Sequence, residues 1–501
     1  MSDLTFGTDF PATTRAQWRE AVDAVLKDAS FDTVMRTRTA EGLVIEPVYQ
    51  RAVGRAPLIG REPGSRWAVI QRVDHPDPGI ANELALTDLE GGADGLALVF
   101  AGASPASSIG LAAETVGALS RALDGILLDI ISIRLDAGRR ARAAGAIFAA
   151  FASRDGGSLS KLRFSLGYDP VGVLAARGRL SAPWPIFEQR IASTVEGLAG
   201  LGHRGPVLMM DGRVYHTAGA SRALELGAML ATGVAYLRAL EGSGLSLADA
   251  RGKLEAVITA DTDAFMTIAS VRALRLLWAR IEDILGLPPE KLPIHAESAW
   301  RSLAIKDPWS NMLRGAIAAF AAGLGGADSV TVLPFTAALG VPDAFARRVA
   351  RNAQHVLMAE AHLHHFADPA AGSGALEGLT DALAEAAWNA FRSIEAEGGI
   401  VEALKSGYVA QAIAHAREVL AKPVVVGVNR FPNPDPAPVA TLSVSPPALS
   451  AGTSSVAQAD DFASLVGAAA HGATLGDLSP TSQPDALRAP ALVPIRDGEG
   501  T

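Results

Sequence analysis

Tyr215 and His216 are adjacent residues whose side chains could act in catalysis. They follow closely on a short apolar run, Val207–Met210, which is typical of a buried strand. A phenol and an imidazole at the end of such a strand can polarise a carbonyl group by donating hydrogen bonds to its oxygen. The alternative is that both side chains only make hydrogen bonds inside a packed core. The pair is therefore a candidate site, with both interpretations open.

His295 and Glu297 form a second polar pair inside an apolar stretch. Residues two apart on a strand point to the same face, so the two side chains could reach one ligand. Zinc sites usually have three or four protein ligands, and two ligands do not make such a site. We therefore predict no metal site here.

The composition excludes several classes of protein. The 501 residues include no cysteine, which rules out disulfide scaffolds, iron–sulfur clusters and thiol nucleophiles. The formal net charge of −9 argues against a globally basic surface for nucleic acid or for an anionic membrane. The start, Met1–Leu4, has no signal-peptide pattern, and the most apolar stretches are shorter than the roughly 20 residues that span a bilayer. We expect a cytoplasmic protein with no membrane or nucleic-acid partner.

Short apolar runs alternate with longer helical patterns from residue 67 onward. Candidate helices between and after the runs include Ser221–Leu240, Ala264–Leu285, Asn311–Leu324 and Asp343–Ala361. Eight such units predict an α/β fold, a closed (β/α)8 TIM barrel of parallel strands. A doubly wound open sheet is the alternative, although the chain has no Gly-x-Gly-x-x-Gly after a strand. The eight runs are Trp67–Val73, Gly95–Phe100, Ile131–Leu135, Leu162–Leu166, Val207–Met210, Leu254–Ile258, Leu292–His295 and Ser329–Leu333.

Three regions follow from this pattern. Residues 1–60 form an extended N-terminal arm with one helix, Thr13–Lys27, and little core of its own. Residues 61–430 form the barrel and a C-terminal helical extension, in which Glu377–Glu397 and Val401–Leu420 read as helices and Pro423–Val428 as a closing strand. Residues 431–501 form a linker and tail rich in Pro, Ala and Ser that is largely disordered, with one short helix over Asp460–Gly472.

The segment Tyr215–Ser221 resembles the Tyr-His-x-x-(x)-Ala-Gly-Ala segment of the methylmalonyl-CoA mutase family. The resemblance covers roughly residues 15–432, and several motifs in order make it specific. Further matching segments are Phe31–Tyr49 in the arm, Asp307–Arg314 and Gly323–Asp328 in the seventh unit, Ala346–Gln354 in the eighth, and Gly427–Arg430.

The resemblance implies a carbon-skeleton isomerase that uses adenosylcobalamin, with the acyl-CoA threading the barrel and the cobalamin capping it. Catalytic members carry a C-terminal flavodoxin-like domain whose Asp-x-His-x-x-Gly motif supplies the cobalt ligand. This chain has no such motif, so no cobalamin-binding domain is expected here. Arg177 and His295 fall where the family has substrate-binding residues, and they are the candidates for that role.

The resemblance also shows where polar residues of the catalytic pattern are lost. Ile70 and Arg72 stand where the family has an arginine and a tyrosine, Gly167 replaces a glutamine, and Leu333 replaces an asparagine. Preset donors stabilise charge in a dry site, and removing one typically costs about 10²–10³ in rate. We therefore predict that apolar side chains fill the interior of the barrel. Tyr215 and His216 would then be vestigial, with no remaining catalytic role.

This pattern resembles the small, non-catalytic subunit of the heterodimeric mutases of this family. It predicts a structural partner of a larger catalytic chain, with adenosylcobalamin carried by that chain. The alternative is an active acyl-CoA mutase barrel that works with a separately encoded cobalamin-binding subunit. A third possibility, an assembly or regulatory protein with an inactive CoA pocket, has no specific residue in its favour.

Overall fold

Eight parallel strands form the centre of the molecule. The computed structural model describes residues 13–39, 42–103, 109–419, 423–450 and 461–499. We number the barrel strands in chain order: β1 Ala68–Val73, β2 Gly95–Val99, β3 Ser132–Asp136, β4 Arg163–Ser165, β5 Leu208–Asp211, β6 Leu254–Ala260, β7 Ile294–Ser298 and β8 Ser329–Thr331.

The eight strands close into a ring. Each strand pairs in parallel with its neighbours in sequence, except that β4 and β5 do not pair directly, and β8 returns to pair with β1, where Val330 lies opposite Val69. The gap between β4 and β5 is closed by Tyr168, whose N–H donates to the carbonyl of Val207 at 3.1 Å and whose carbonyl accepts from Met209 at 3.1 Å. This confirms the predicted (β/α)8 barrel. Every strand lies within three residues of its predicted boundaries.

Alternate residues of each strand point outward to the helices or inward to the barrel axis. On β1, Val69 and Val73 pack outward in the main apolar core. Ile70 lies in a small separate cluster with Ala97 and Val99 of β2. The outward positions explain why these strands read as apolar runs, while the inward positions determine what fills the axis.

Helices cover the outside of the barrel. Arg222–Gly242, capped by the side chain of Ser221, packs against Gly374–Ala396. Among the described residues it is long and apolar enough to cross a membrane, but 83% of its apolar window is buried, as in a core helix. The helices of the barrel and its extension are Pro78–Glu90, Val116–Ala122, Ala141–Ala152, Pro170–Arg177, Trp184–Gly200, Arg213–Thr217, Arg222–Gly242, Leu247–Arg251, Ala264–Ile284, Asn311–Gly325, Ala344–His355, Gly374–Ala396, Ile400–Lys405 and Tyr408–Val419.

Three predicted elements near the end of the barrel differ in the structure. The helix predicted to run to Ala361 ends at His355 and continues as a π-helical turn, Val356–Glu360. Val401–Leu420 is interrupted at Gly407, which has φ +80°, and Leu420 itself lies outside the described residues.

The predicted closing strand Pro423–Val428 is wrong. The segment forms a turn, because the side-chain amide of Asn429 accepts from the N–H of Val425 at 2.8 Å and donates to the carbonyl of Pro423 at 2.9 Å. Gly427 allows this turn by adopting φ +79°.

The described part of the N-terminal arm begins with an exposed helix and ends in contact with the segment before the helix Gly374–Ala396. The N–H of Ala52 donates to the carbonyl of Gly372 at 3.1 Å, and that of Leu58 donates to the carboxylate of Asp368 at 2.8 Å. The exposed helix, Arg15–Leu26, begins at Thr14 with a capping box to Gln17 and buries none of its residues. A short helix, Phe31–Val34, and an antiparallel pair, Thr37–Arg38 with Val44–Ile45, follow it. Residues 1–12 and 40–41 of the predicted arm lie outside the described residues.

The C-terminal region was predicted to be largely disordered, but the structure contains a helix and several buried residues there. The helix Phe462–Ala470 buries Phe462 and Leu465 against helices of the third and fourth units of the barrel. Leu475, Leu478 and Leu492 are also buried, because apolar residues spaced along this polar segment fit the barrel surface. Residues 431–450 are mostly exposed and include a two-residue strand, Thr441–Leu442, that pairs with Val341–Pro342. Residues 451–460 and 500–501 lie outside the described residues.

Candidate functional site

A cavity of about 370 Å³ lies at the mouth of the barrel where the strands end. This is the face on which barrel enzymes generally build their active sites. The side chains on its floor are charged, and those on its walls are partly polar and partly apolar. The walls include Arg177, Met209, Trp300 and Leu333, together with Leu492 and Pro494 from the C-terminal region.

The floor of the cavity is a network of ion pairs centred on Arg213. Its guanidinium contacts Asp211 at 2.8 Å, Asp136 at 3.0 Å and Glu297 at 3.2 Å. Burial alone would lower the pKa of Arg213, but the three carboxylates outweigh it and raise the pKa well above its usual value. Burial would raise the pKa of Asp136, but Arg213 outweighs it and lowers that pKa. Both groups are therefore charged.

Arg72 extends this network across the barrel from β1. Its Nη1 lies 3.2 Å from Oε2 of Glu297, and its Nε lies 3.4 Å from Oδ2 of Asp74. Burial would lower the pKa of Arg72, but Glu297 and the neighbouring aspartates raise it. Glu297 thus joins two arginines from opposite sides of the mouth.

A second ion pair crosses the axis below this floor. Arg134 of β3 makes two hydrogen bonds to Glu255 of β6, at 2.7 and 3.0 Å, and the hydroxyl of Ser165 donates to the same carboxylate. A bidentate arginine–carboxylate pair of this kind is among the stronger polar contacts in proteins. The axis is therefore crossed by two charged layers.

These layers correct the prediction that apolar packing alone fills the barrel. The prediction holds for Ile70, which packs against Ala97 and Val99, and for Leu333, which lines the cavity. At the mouth, however, the inward side chains of Arg72, Asp136 and Glu297 are charged and paired. The signal was present in the sequence, because Arg72, Arg134 and Glu255 interrupt apolar strand runs at inward positions.

Arg177 lies on the cavity wall at the end of the helix Pro170–Arg177. Its Nη2 donates to the carbonyl of Gly102. Burial lowers its pKa, and Arg179 and Arg140 lower it further. Of the four candidate residues Arg177, Tyr215, His216 and His295, it is the one that lines this cavity within the described part of the chain.

His295 points into the barrel between the charged layers. Its Nδ1 lies 2.8 Å from the hydroxyl oxygen of Ser329. Burial lowers its pKa well below the usual value, and Arg134 and Arg213 add to the effect. His295 is therefore neutral and is separated from the cavity by the ionic floor.

Tyr215 and His216 lie on the helix Arg213–Thr217 but turn away from the cavity. Nε2 of His216 lies 3.2 Å from Oδ2 of Asp261, which also pairs with Arg222 at 2.8 Å. Burial, followed by the charges of Arg301 and Arg222, lowers the pKa of His216 to about 3. Tyr215 is fully buried, and burial raises the pKa of its hydroxyl. His216 therefore belongs to a buried ionic network, whereas Tyr215 packs in the main apolar core.

Asp169 is a site residue that sequence reasoning did not single out. It accepts hydrogen bonds from the N–H of Gly172 at 2.8 Å and from the hydroxyl of Tyr236, and so caps the helix that carries Arg177. Burial, together with the nearby charge of Asp211, raises its pKa to about 7. Its position after β4 and before a proline marks it as a helix cap, but its pKa depends on neighbours distant in sequence.

The mouth of the barrel does not fit a corrin ring as it stands. A planar macrocycle needs an open face, whereas Leu492 and Pro494 lie against this one. Among the described residues that line the cavity there is no histidine that could bind cobalt.

A closed (β/α)8 barrel with charged residues at the strand ends belongs to the class of barrel enzymes and their relatives. A family model described as methylmalonyl-CoA mutase matches residues 55–479. The chain therefore belongs to the methylmalonyl-CoA mutase family.

Similar proteins include three that are named as small subunits. The methylmalonyl-CoA mutase small subunit of Streptomyces virginiae is 39% identical, over 86% of this chain and 72% of its own length. The probable small subunit of Mycobacterium bovis is 35% identical, over 84% and 71%. The small subunit of Propionibacterium freudenreichii subsp. shermanii is 32% identical, over 86% and 70%.

Proposed function

We propose that this chain is the small, non-catalytic subunit of an adenosylcobalamin-dependent methylmalonyl-CoA mutase. It would support a larger chain that interconverts succinyl-CoA and methylmalonyl-CoA. The observation that carries the proposal is the pair of charged layers across the barrel axis, Arg213 with Glu297 and Arg134 with Glu255. An acyl-CoA that threads a barrel would have to displace both.

The energetic cost of such displacement is high. Breaking a buried ion pair by removing one partner typically costs about 3–5 kcal/mol, because the other charge is left unpaired. The arginines at the mouth are also committed to carboxylates, so they cannot serve as free donors for a thioester or a substrate carboxylate. Arg177 alone is a poor substitute for a set of preset donors.

The arm supports the proposal of a protein partner. Trp18, Val22, Val25 and Leu26 form an apolar stripe on the helix Arg15–Leu26, yet none of them is buried and Val25 is 79% exposed. Obligate interfaces are large and hydrophobic, and an unburied stripe of this kind is suited to one. The names of the similar small subunits agree with a larger partner chain.

The remaining assignments follow from this proposal. The adenosylcobalamin would be carried by the larger chain, and acyl-CoA would bind there. The complex would be a cytoplasmic heterodimer without a membrane or nucleic-acid partner. The net charge of −9 and the absence of cysteine agree with these assignments.

Co-expression with a catalytic chain of the family tests the proposal. We expect a 1:1 complex with mutase activity, whereas this chain alone should show no turnover. A stable monomer that ignores the catalytic chain in size-exclusion chromatography would contradict the proposal.

A second candidate is an active barrel that works with a separate cobalamin-binding subunit. The cavity with Arg177 on its wall is the observation in its favour. The test is to add such a subunit, adenosylcobalamin and a panel of acyl-CoAs. Sustained turnover without a second barrel chain would favour this candidate and exclude the first.

A further inference from the structure

Residues 487–499, which we call the C-terminal strap, run along the rim of the barrel mouth. The strap is tied to the barrel by backbone hydrogen bonds at regular intervals. The N–H of Ala489 donates to Gly178 at 2.9 Å and that of Leu492 to Ala175 at 2.8 Å, both after β4. The N–H of Ile495 donates to Thr217 at 2.8 Å, after β5. The strap therefore crosses from one strand-end loop to the next.

The end of the strap is held by charged groups at the loop after β7. Asp497 pairs with Arg301 at 3.1 Å, and the guanidinium of Arg496 lies 4.0 Å from the ring centre of Trp300. The carboxylate of Glu499 accepts from the N–H of Ile305 at 2.7 Å and of Lys306 at 3.1 Å. Cation–π and charge-assisted contacts of this kind make the end of the strap specific in position.

The strap has an inner and an outer side. Leu492 is 5% exposed and lines the cavity together with Pro494. Val493, between them, is 65% exposed and points to solvent. The alternation shows that Leu492 and Pro494 form part of the cavity wall, whereas Val493 does not.

We propose that the C-terminal strap is the resident occupant of the barrel mouth and closes the cavity against a macrocycle or a docking polypeptide. The strap takes the face that a corrin would need, which explains why the mouth does not fit one. This inference does not depend on the proposed partner chain, since all its contacts are within this chain.

The absence of cysteine allows a direct test of closure. A Met209→Cys variant places the only thiol of the full chain on the cavity wall, where Met209 is 5% exposed. We expect a bulky fluorescent maleimide to label it slowly. Adding Leu492→Asp should release the strap and speed labelling by about tenfold or more, the factor that 1.4 kcal/mol of opening represents.

Val493→Asp is the matched control, because it adds the same charge one residue away on the outer side. It should leave the labelling rate unchanged. Equal rates in all three proteins, or rapid labelling with the native strap, would overturn the inference.

Hydrogen exchange of the wild-type chain keeps the test valid even if Leu492→Asp impairs folding. The amides of Leu492, Ile495 and Asp497 should exchange slowly, because each donates to a barrel carbonyl. Exchange at the rate of an unstructured peptide would overturn the inference. Aquocobalamin should cause no spectral change with the wild-type chain, and binding with these amides still protected would also overturn it.

Discussion

Arg213 and Glu297 meet across the mouth of the barrel, although 84 residues separate them in the chain. Nη1 of the arginine lies 3.2 Å from Oε1 and 3.3 Å from Oε2 of the glutamate. Each residue also pairs with a further strand, Arg213 with Asp136 and Glu297 with Arg72. The charges that would otherwise face a ligand thus bind one another, which makes them part of the stability of the barrel.

The Arg134–Glu255 pair should show the energetic signature of a buried ion pair. Arg134→Met or Glu255→Leu alone should lower the free energy of unfolding by about 3–5 kcal/mol, since each leaves one charge unpaired. The double variant should be closer to wild type than either single variant. Chemical denaturation measures all three values, and additive losses would contradict the expectation.

The exposed pair Arg280–Asp283 provides the control. Its two side chains are 60% and 65% exposed, although they lie 2.5 Å apart. Asp283→Ala should change the free energy of unfolding by no more than about 1 kcal/mol, because solvent screens the pair.

Asp169 should make stability fall as the pH rises. Its pKa of about 7 in the folded chain lies above the usual value of about 3.8, so folding retains a proton that the unfolded chain releases. Relative to Asp169→Asn, the wild type should lose about 1 kcal/mol per pH unit between pH 5 and 7 and then level off. Urea denaturation across this range measures the difference.

Asp77→Asn is the matched control for this pH dependence. Asp77 also caps a helix that begins with a proline, Pro78–Glu90, but it is exposed. The wild type and this variant should respond to pH in parallel. A difference as large as that of Asp169→Asn would mean that capping, rather than burial, is the cause.

His216 should make stability fall as the pH falls, which is the opposite of the effect of Asp169. Its pKa of about 3 when folded lies below the unfolded value of about 6.5, so the stability it contributes is present above pH 6.5 and is lost as the pH falls toward 3. His216→Gln should therefore lose less stability between pH 7 and 5 than the wild type does, by up to about 1.4 kcal/mol per unit. Thermal unfolding between pH 7 and 5 measures this difference in stability. The exposed His415→Gln variant is the control, and it should lose as much stability as the wild type over this range.

The apolar stripe of the arm should affect partner binding without affecting this chain alone. Val25→Asp places a charge on the stripe, whereas Ala24→Asp places it beside the stripe, and both positions are exposed. We expect both variants to unfold at the wild-type temperature and only Val25→Asp to weaken the complex, by about tenfold or more. Equal affinity of the two variants for the catalytic chain would count against the arm as an interface.

The barrel could be predicted from the sequence because its strands are buried on both faces. Strands such as Gly95–Val99 and Leu254–Ala260 are apolar runs bounded by helical patterns. Both patterns can be recognised within a short window of the sequence. The count of eight strand–helix units predicted a closed barrel, but no residue pattern indicated that Tyr168 would make the closing contact. The turn at Val425 was missed because a single side chain, that of Asn429, outweighs the strand propensity of a valine-rich segment.

The site was harder to predict because its chemistry depends on neighbours distant in sequence. The motif Tyr215-His216 suggested a mouth residue, but the geometry turns His216 toward Asp261. The sequence places Glu297 on the same strand face as His295, whereas its ion-pair partners in the structure are Arg72 and Arg213. Charged residues at inward strand positions were the available clue, and their pairing could only be read from the fold.

The crossed charges also limit how this barrel could change over generations. Any single replacement at Arg134 or Glu255 passes through a protein with a lone interior charge, which selection for folding would remove. Recovering a hollow axis would require paired replacements at the same time. A lineage that has acquired this buried ion pair will therefore tend to keep it, because single substitutions cannot remove it without loss of stability.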